Sequence, residues 1–228
     1  MGIERKFIRE ALRKVLLKEY LMRELRGAYM GGMRVRKTPL GTHIVVEVSR
    51  PGLVIGRKGE RIREIERKVK EEFGFENPQI EVKAIQKPEL NPQVMAESIA
   101  LAIERGWKFR RVAHQALDRI MRAGARGVQI VISGKLTGDR ARSENFKAGK
   151  VKHCGEPAFS QMRKGFAIAV PKQGVIGVYV AILPPGEVLP DEVVVDEEEV
   201  RKLAAAEGEG AEGEEHGGAE EEARGAEE

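Results

Sequence analysis

A chain of 228 residues has room for one large domain or two small ones, and its 41% hydrophobic content can support a core. Its one cysteine, Cys154, excludes an internal disulfide, and one cysteine with four histidines offers no four-ligand zinc set. The net charge of +4 hides an asymmetry: from Gly186 onward there are 17 acidic and 3 basic residues, leaving residues 1–185 with 37 basic and 19 acidic, a net of +18. A body that basic suits a polyanionic partner, and nucleic acid is the commonest. The amino end lacks the apolar core of a signal peptide. Lys6 breaks the myristoylation pattern. No apolar run approaches transmembrane length. The expectation is a soluble cytoplasmic protein with no membrane partner.

Residues 4–26 predict an amphipathic helix. Phe7, Ile8, Ala11, Leu12, Val15, Leu16, Leu21 and Leu25 recur at steps of three and four, and Gly27 stops the pattern. Residues 33–37 and 42–49 read as strands about a Pro39–Gly41 turn, with Ile44, Val46 and Val48 alternating in the second. Pro51 and Gly52 break that strand. A short helical turn over Leu53, Val54 and Ile55 then leads into Gly56-Arg57-Lys58-Gly59. Two glycines bracket two cations, and glycine lets a ligand approach the backbone closely. The turn is a candidate phosphate clamp. After it, Ile62, Ile65, Val69 and Phe73 form one helical stripe that Gly74 closes. Residues 78–85 are one more strand, and Lys87-Pro88 with Asn91-Pro92 mark a boundary.

The order helix, strand, strand, short helix, Gly-x-x-Gly, helix, strand resembles a KH domain of the second topological type. That resemblance covers residues 1–86. It implies a glycine turn that grips the backbone of about four nucleotides. By position, Gly56 and Gly59 allow the approach, Arg57 and Lys58 meet phosphates, and Val54 and Ile55, with Ile62, line the groove.

Beyond the boundary, Asn91 is an N-cap with Pro92 at the first helical position. Met95, Ile99, Ala102 and Ile103 give that helix its stripe, and Gly106 ends it. A second helix runs over residues 108–123. Phe109, Val112, Ala113, Ala116, Leu117 and Ile120 share one face, while Arg110, Arg111, His114, Asp118 and Arg122 lie largely opposite. Residues 128–133 form a strand. A glycine-rich basic stretch follows, carrying Lys135, Arg140, Arg142, Lys147, Lys150 and Lys152. It is too polar to fill a core and suits contact with a nucleic-acid backbone. Residues 165–170 and 175–183 form a hairpin about Pro171–Gly174. The fold class is α+β: a KH domain at 1–86, a linker at 87–92, and a second α+β domain with an antiparallel sheet at 93–190. An acidic tail at 191–228 is expected to be disordered.

The second half carries a more particular resemblance. The runs at 50–59, 87–90, 109–111, 124–136 and 174–178 resemble, in order, the S-three family of small-subunit ribosomal proteins. Lys152-His153-Cys154-Gly155-Glu156-Pro157 resembles its archaeal and eukaryotic branch. The resemblance implies a structural constituent of the subunit head with no cofactor. Its implied partners are small-subunit ribosomal RNA, messenger RNA and neighbouring head proteins. It also implies that Arg110 and Arg111 face incoming messenger RNA in the entry channel and help unwind it. A third basic position of the family falls here on His114, and a neutral histidine is no fixed cation near pH 7. The basic stretch, through Lys135, Arg140, Arg142, Lys147 and Lys150, is expected to meet ribosomal RNA. A free-standing KH factor is the alternative, without the attached GTPase such factors often carry, because no Gly-x-x-x-x-Gly-Lys-[Ser/Thr] loop exists. A nuclease would need a catalytic constellation, and none is visible, so no enzyme is expected. The tail's −14 reads first as a solubilising segment without a specific partner, with screening of the +18 body from stray RNA before assembly as the sharper alternative.

Overall fold

Two small sheets, each with its own helices and its own hydrophobic core, make up the described structure. It is a computed structural model that describes residues 2–39, 41–187 and 189–190. The expected acidic tail at 191–228 lies outside the described residues.

The first half runs α1 (Ile3–Glu24), β1 (Met30–Thr38), β2 (Gly41–Val48), α2 (Pro51–Ile55), α3 (Glu60–Phe73) and β3 (Pro78–Ala84). The sheet order is β1-β2-β3. The first pair is antiparallel, with Val35 opposite Ile44, and the second is parallel, with Ile44 opposite Ile80. A parallel pair needs a long crossover. Here the crossover is α2, the glycine turn and α3. Ile44, Val46 and Val48 point into the core as their alternation predicts, against Ile65 and Val69 of α3.

α1 buries only part of its expected stripe. Leu17, Leu21 and, just past the helix, Leu25 are fully buried, each contributing roughly 1.5–3 kcal/mol. Phe7, Ile8, Leu12 and Val15 are more than half exposed. The helix carries apolar residues on two sides, and periodicity alone does not say which side the sheet takes. The sheet takes the narrower stripe.

The second half adds α4 (Pro92–Glu104), α5 (Phe109–Arg122), β4 (Gly127–Gly134), β5 (Arg142–Gly149), α6 (Glu156–Ser160), β6 (Arg163–Ala169) and β7 (Ile176–Leu183). Its sheet is antiparallel throughout, in the order β5-β4-β7-β6. Asn91 caps α4 as expected: its Oδ1 accepts from the amides of Gln93 and Val94 at 3.1 and 3.4 Å. Its Nδ2 reaches back to the Gly31 carbonyl at 3.4 Å and ties the connection to β1. Gly165 lets β6 lie on the start of α4, because a Cβ there would stand 2.4 Å from the Pro92 carbonyl carbon.

β6 ends the sheet, and side chains occupy part of its outer edge. The Gln93 amide donates to the Phe166 carbonyl at 2.9 Å and accepts from the Phe166 amide at 3.1 Å. Glu104 accepts from the Val170 amide at 2.8 Å, and Arg26 donates to the Ile168 carbonyl at 2.9 Å. Arg26 and Glu104 also pair with one another. An edge strand otherwise invites pairing with another chain. Here Arg26 also ties the first half to the second.

Candidate nucleic-acid interface

The glycine turn is built by backbone geometry that the sequence dictates. Gly56 has φ 71° and ψ −172°, a region essentially reserved for glycine. A Cβ there would stand 2.8 Å from the Cβ of Arg61. Gly59 is left-handed at φ 76°, and Lys58 between them is left-handed too, at φ 51°. These reversals lift Arg57 and Lys58 to the surface, where both are exposed. Leu53 and Ile55 lie beside them, 45% and 42% exposed. Val54 belongs elsewhere: it is 1% exposed and packed in the first core, so it does not line a groove. A helical turn places adjacent residues on different sides, which separates Val54 from Leu53 and Ile55. Ile62 is half-buried.

One cation of this region does structural work. The Arg61 guanidinium donates to the Leu53 carbonyl at 3.1 Å and to the Glu24 carbonyl at 2.9 Å. It fastens the end of α1 and the turn before the glycine loop onto α3. Hydrogen bonds to distant carbonyls leave no periodic signal, so the sequence alone does not show this role of Arg61.

α5 presents the second cationic surface. Its apolar face, Val112, Ala113, Ala116 and Ile120, is buried as expected. Arg110, Arg111 and His114 are exposed on the other sides, and each has a different neighbour. Arg110 forms a two-pronged ion pair with Glu144 of β5, Nε to Oε2 at 3.0 Å and Nη2 to Oε1 at 2.8 Å. The pair holds the Glu144 carboxyl below its ordinary range and raises Arg110. One turn on, the His114 ring meets Phe146 edge-on at 5.2 Å between centroids. The guanidinium of Arg111 lies 5.8 Å from the centre of the Trp107 ring. Sequence reading missed Trp107 as a surface group. The available signal was the chain's one tryptophan directly after a helix-ending glycine.

Part of the glycine-rich basic stretch is a strand that its composition did not signal. Residues 142–149 form β5, the outer strand on β4, with Ile130 opposite Phe146. Only its Phe146 and Ala148 pack on the second core, so the strand's polar majority masked it. Alternation splits the expected contacts between two faces. Arg142 shares a face with Glu144 and Phe146 and lines a cleft of about 820 Å³ with Trp107, Lys108, Arg110 and Lys172. Lys147 lies on the other face, its Nζ 2.9 Å from His153 Nε2. Lys135 and Arg140 are exposed in the β4–β5 connection, and Lys150 is exposed just past β5. The Lys150 backbone amide donates to the Arg126 carbonyl at 2.9 Å.

No group of three metal-ligating side chains occurs among the described residues. No described helix is long and apolar enough to cross a membrane. A type II KH domain followed by a basic α+β domain with an antiparallel sheet defines an RNA-binding protein.

The comparisons with known proteins narrow the class. Residues 16–90 match the KH domain model, and residues 99–182 match the model of the C-terminal domain of ribosomal protein S3. Small ribosomal subunit protein uS3 of Archaeoglobus fulgidus is 50% identical over 209 residues, covering 92% of this chain and 91% of that protein. The uS3 of Methanocaldococcus jannaschii is 51% identical over 196 residues, 86% of this chain and 94% of that protein. That of Methanoregula boonei is 46% identical over 205 residues, 90% and 88% of the two chains. The chain belongs to the S3 family of ribosomal proteins, whose members are structural constituents of the cytoplasmic ribosome rather than enzymes.

Proposed function

We propose that the chain sits in the head of the small ribosomal subunit, binds ribosomal RNA, and lines the channel by which messenger RNA enters. Within it, residues 1–86 act as the KH unit, 87–92 as the connection and 93–190 as the second RNA-facing unit. Arg110 and Arg111 hold incoming message and help open its structure, with His114 as an auxiliary contact. The observation that carries this reading is the α5 face, where consecutive arginines stand exposed on a helix whose other side is fixed in the core. Gly56, Arg57, Lys58 and Gly59 clamp backbone phosphates beside Ile55. Lys135, Arg140, Arg142, Lys147 and Lys150 meet ribosomal RNA on the two faces around β5. Neighbouring head proteins complete the surroundings.

The test uses reconstituted small subunits and a message with a hairpin just downstream of the decoding site. Arg110→Ala with Arg111→Ala should assemble normally yet slow hairpin opening several-fold. Unchanged opening in fully assembled subunits rejects the channel role. Loss of the protein from subunits would instead place the arginines in ribosomal RNA binding.

A further inference from the structure

Trp107 is 51% exposed, although tryptophan is rarely left on a surface without a use. It stands between α4 and α5 on a fixed backbone. The Trp107 amide donates to the Ala102 carbonyl at 3.2 Å and the Gly106 amide to the Ile103 carbonyl at 2.9 Å, with Gly106 left-handed at φ 89°. That is a Schellman turn, so the residue's position is set before any ligand arrives. Trp107 lines two hollows, the 820 Å³ cleft beside Arg142 and a smaller one of about 220 Å³ beside Tyr29, Arg50 and Arg119. Arg105 lines both. In the smaller hollow the Arg50 guanidinium lies 5.0 Å from the centre of the Tyr29 ring.

The ring's surroundings are cationic: Arg105, Lys108 and Arg111. The one carboxylate of the larger cleft, Glu104, is already engaged by Arg26 and the Val170 amide. An apolar protein partner would gain little from a tryptophan ringed by unburied cations. Single-stranded RNA offers what this surface takes: a flat base for the ring and phosphates for the cations. We propose that Trp107 is a stacking platform for a base of single-stranded RNA, with the flanking phosphates held by Arg105 on one side and Lys108 on the other. The proposal rests on the reading of α5 as an RNA-facing helix and adds a base contact to its phosphate contacts.

Because Trp107 is the only tryptophan, its fluorescence reports on this site alone. The full chain is titrated with an oligoadenylate of about eight nucleotides and with an abasic strand of equal length. The expected result is strong quenching by oligoadenylate and little by the abasic strand. Trp107→Ala should weaken oligoadenylate binding about tenfold at an unchanged melting temperature, while Trp107→Phe retains most of it. Equal quenching by both strands, or an alanine variant that binds like the parent, overturns the stacking role and leaves the RNA-facing reading of α5 intact. Absence of any RNA binding by the parent overturns both.

Discussion

Arg110 of α5 and Glu144 of β5 are joined by two parallel hydrogen bonds. Of the two arginines proposed to meet messenger RNA, Arg110 therefore already has a carboxylate partner, whereas Arg111 lies over the Trp107 ring. A phosphate must compete with Glu144 for Arg110. Glu144→Gln should raise the affinity of the full chain for single-stranded RNA by about two- to fivefold at low salt, since exposed ion pairs are weak. In a double-mutant cycle, Arg110→Ala should cost more in the Glu144→Gln background than in the parent. Equal costs in both would mean that Glu144 does not restrain Arg110.

The proposed clamp and the Arg61 fastening beside it separate by substitution. Replacing Arg57 and Lys58 together with Asp should leave the melting temperature unchanged and weaken RNA binding. Removing both cations should flatten the log-affinity against log-salt slope by about 1.4. Arg61→Ala should act the other way, destabilising the first half by roughly 1–3 kcal/mol through two lost carbonyl contacts. Urea denaturation and filter binding, run on both variants, tell the roles apart.

That division shows where the sequence was readable. Caps and alternation gave α4, its Asn91 start and the strands around Ile44 and Ile130, because each is set by neighbours a few residues away. The positive-φ glycines Gly56 and Gly59 were readable as a turn for the same reason. Arg61, Val54 and β5 were not. Arg61 acts through carbonyls 8 and 37 positions distant. Val54 differs from Ile55 only by the phase of a five-residue helix. β5 takes its identity from pairing with β4, while its own residues are mostly polar. α1 was found as a helix, but of its expected stripe Leu21 and Leu25 are fully buried while Phe7, Ile8, Leu12 and Val15 are exposed, since the spacing alone does not say which apolar side meets the core.

Glu97 predicts a pH dependence. It is 7% exposed, on α4, with Oε2 unpartnered and Oε1 only 3.5 Å from Gln93 Nε2. Burial pushes its carboxyl from 4.5 up to about 7, against smaller opposing effects of Gln93, the Met30 backbone and Arg26. Between those two values the folded chain holds a proton that the unfolded chain has released. This contribution to stability is complete below 4.5, declines as pH rises, and is gone above 7. Glu97→Gln should match the parent near pH 4 and exceed it near pH 8 by at most about 3 kcal/mol. Urea midpoints across that range provide the measurement, and parallel pH profiles would contradict the assignment.

Gly165 tests the seat of α4 on β6. An added methyl would meet the Pro92 carbonyl carbon at 2.4 Å and the Gln93 amide nitrogen at 2.5 Å. Backbone cannot yield there without displacing the Gln93 contacts to Phe166. Gly165→Ala should cost at least about 2 kcal/mol. Gly138→Ala, in open space, should cost under about 1 kcal/mol in the same thermal melts.

The parallel pairing of β2 with β3 also sets a schedule. The glycine turn sits inside the crossover, between Val48 and Pro78. A ribosome making this chain releases the turn well before it releases β3. Until residue 84 is free, β2 has β1 on one edge and nothing on the other. Each new molecule therefore spends the time of some twenty-five further residues with its glycine turn translated but unbraced, about one to five seconds at ordinary elongation rates.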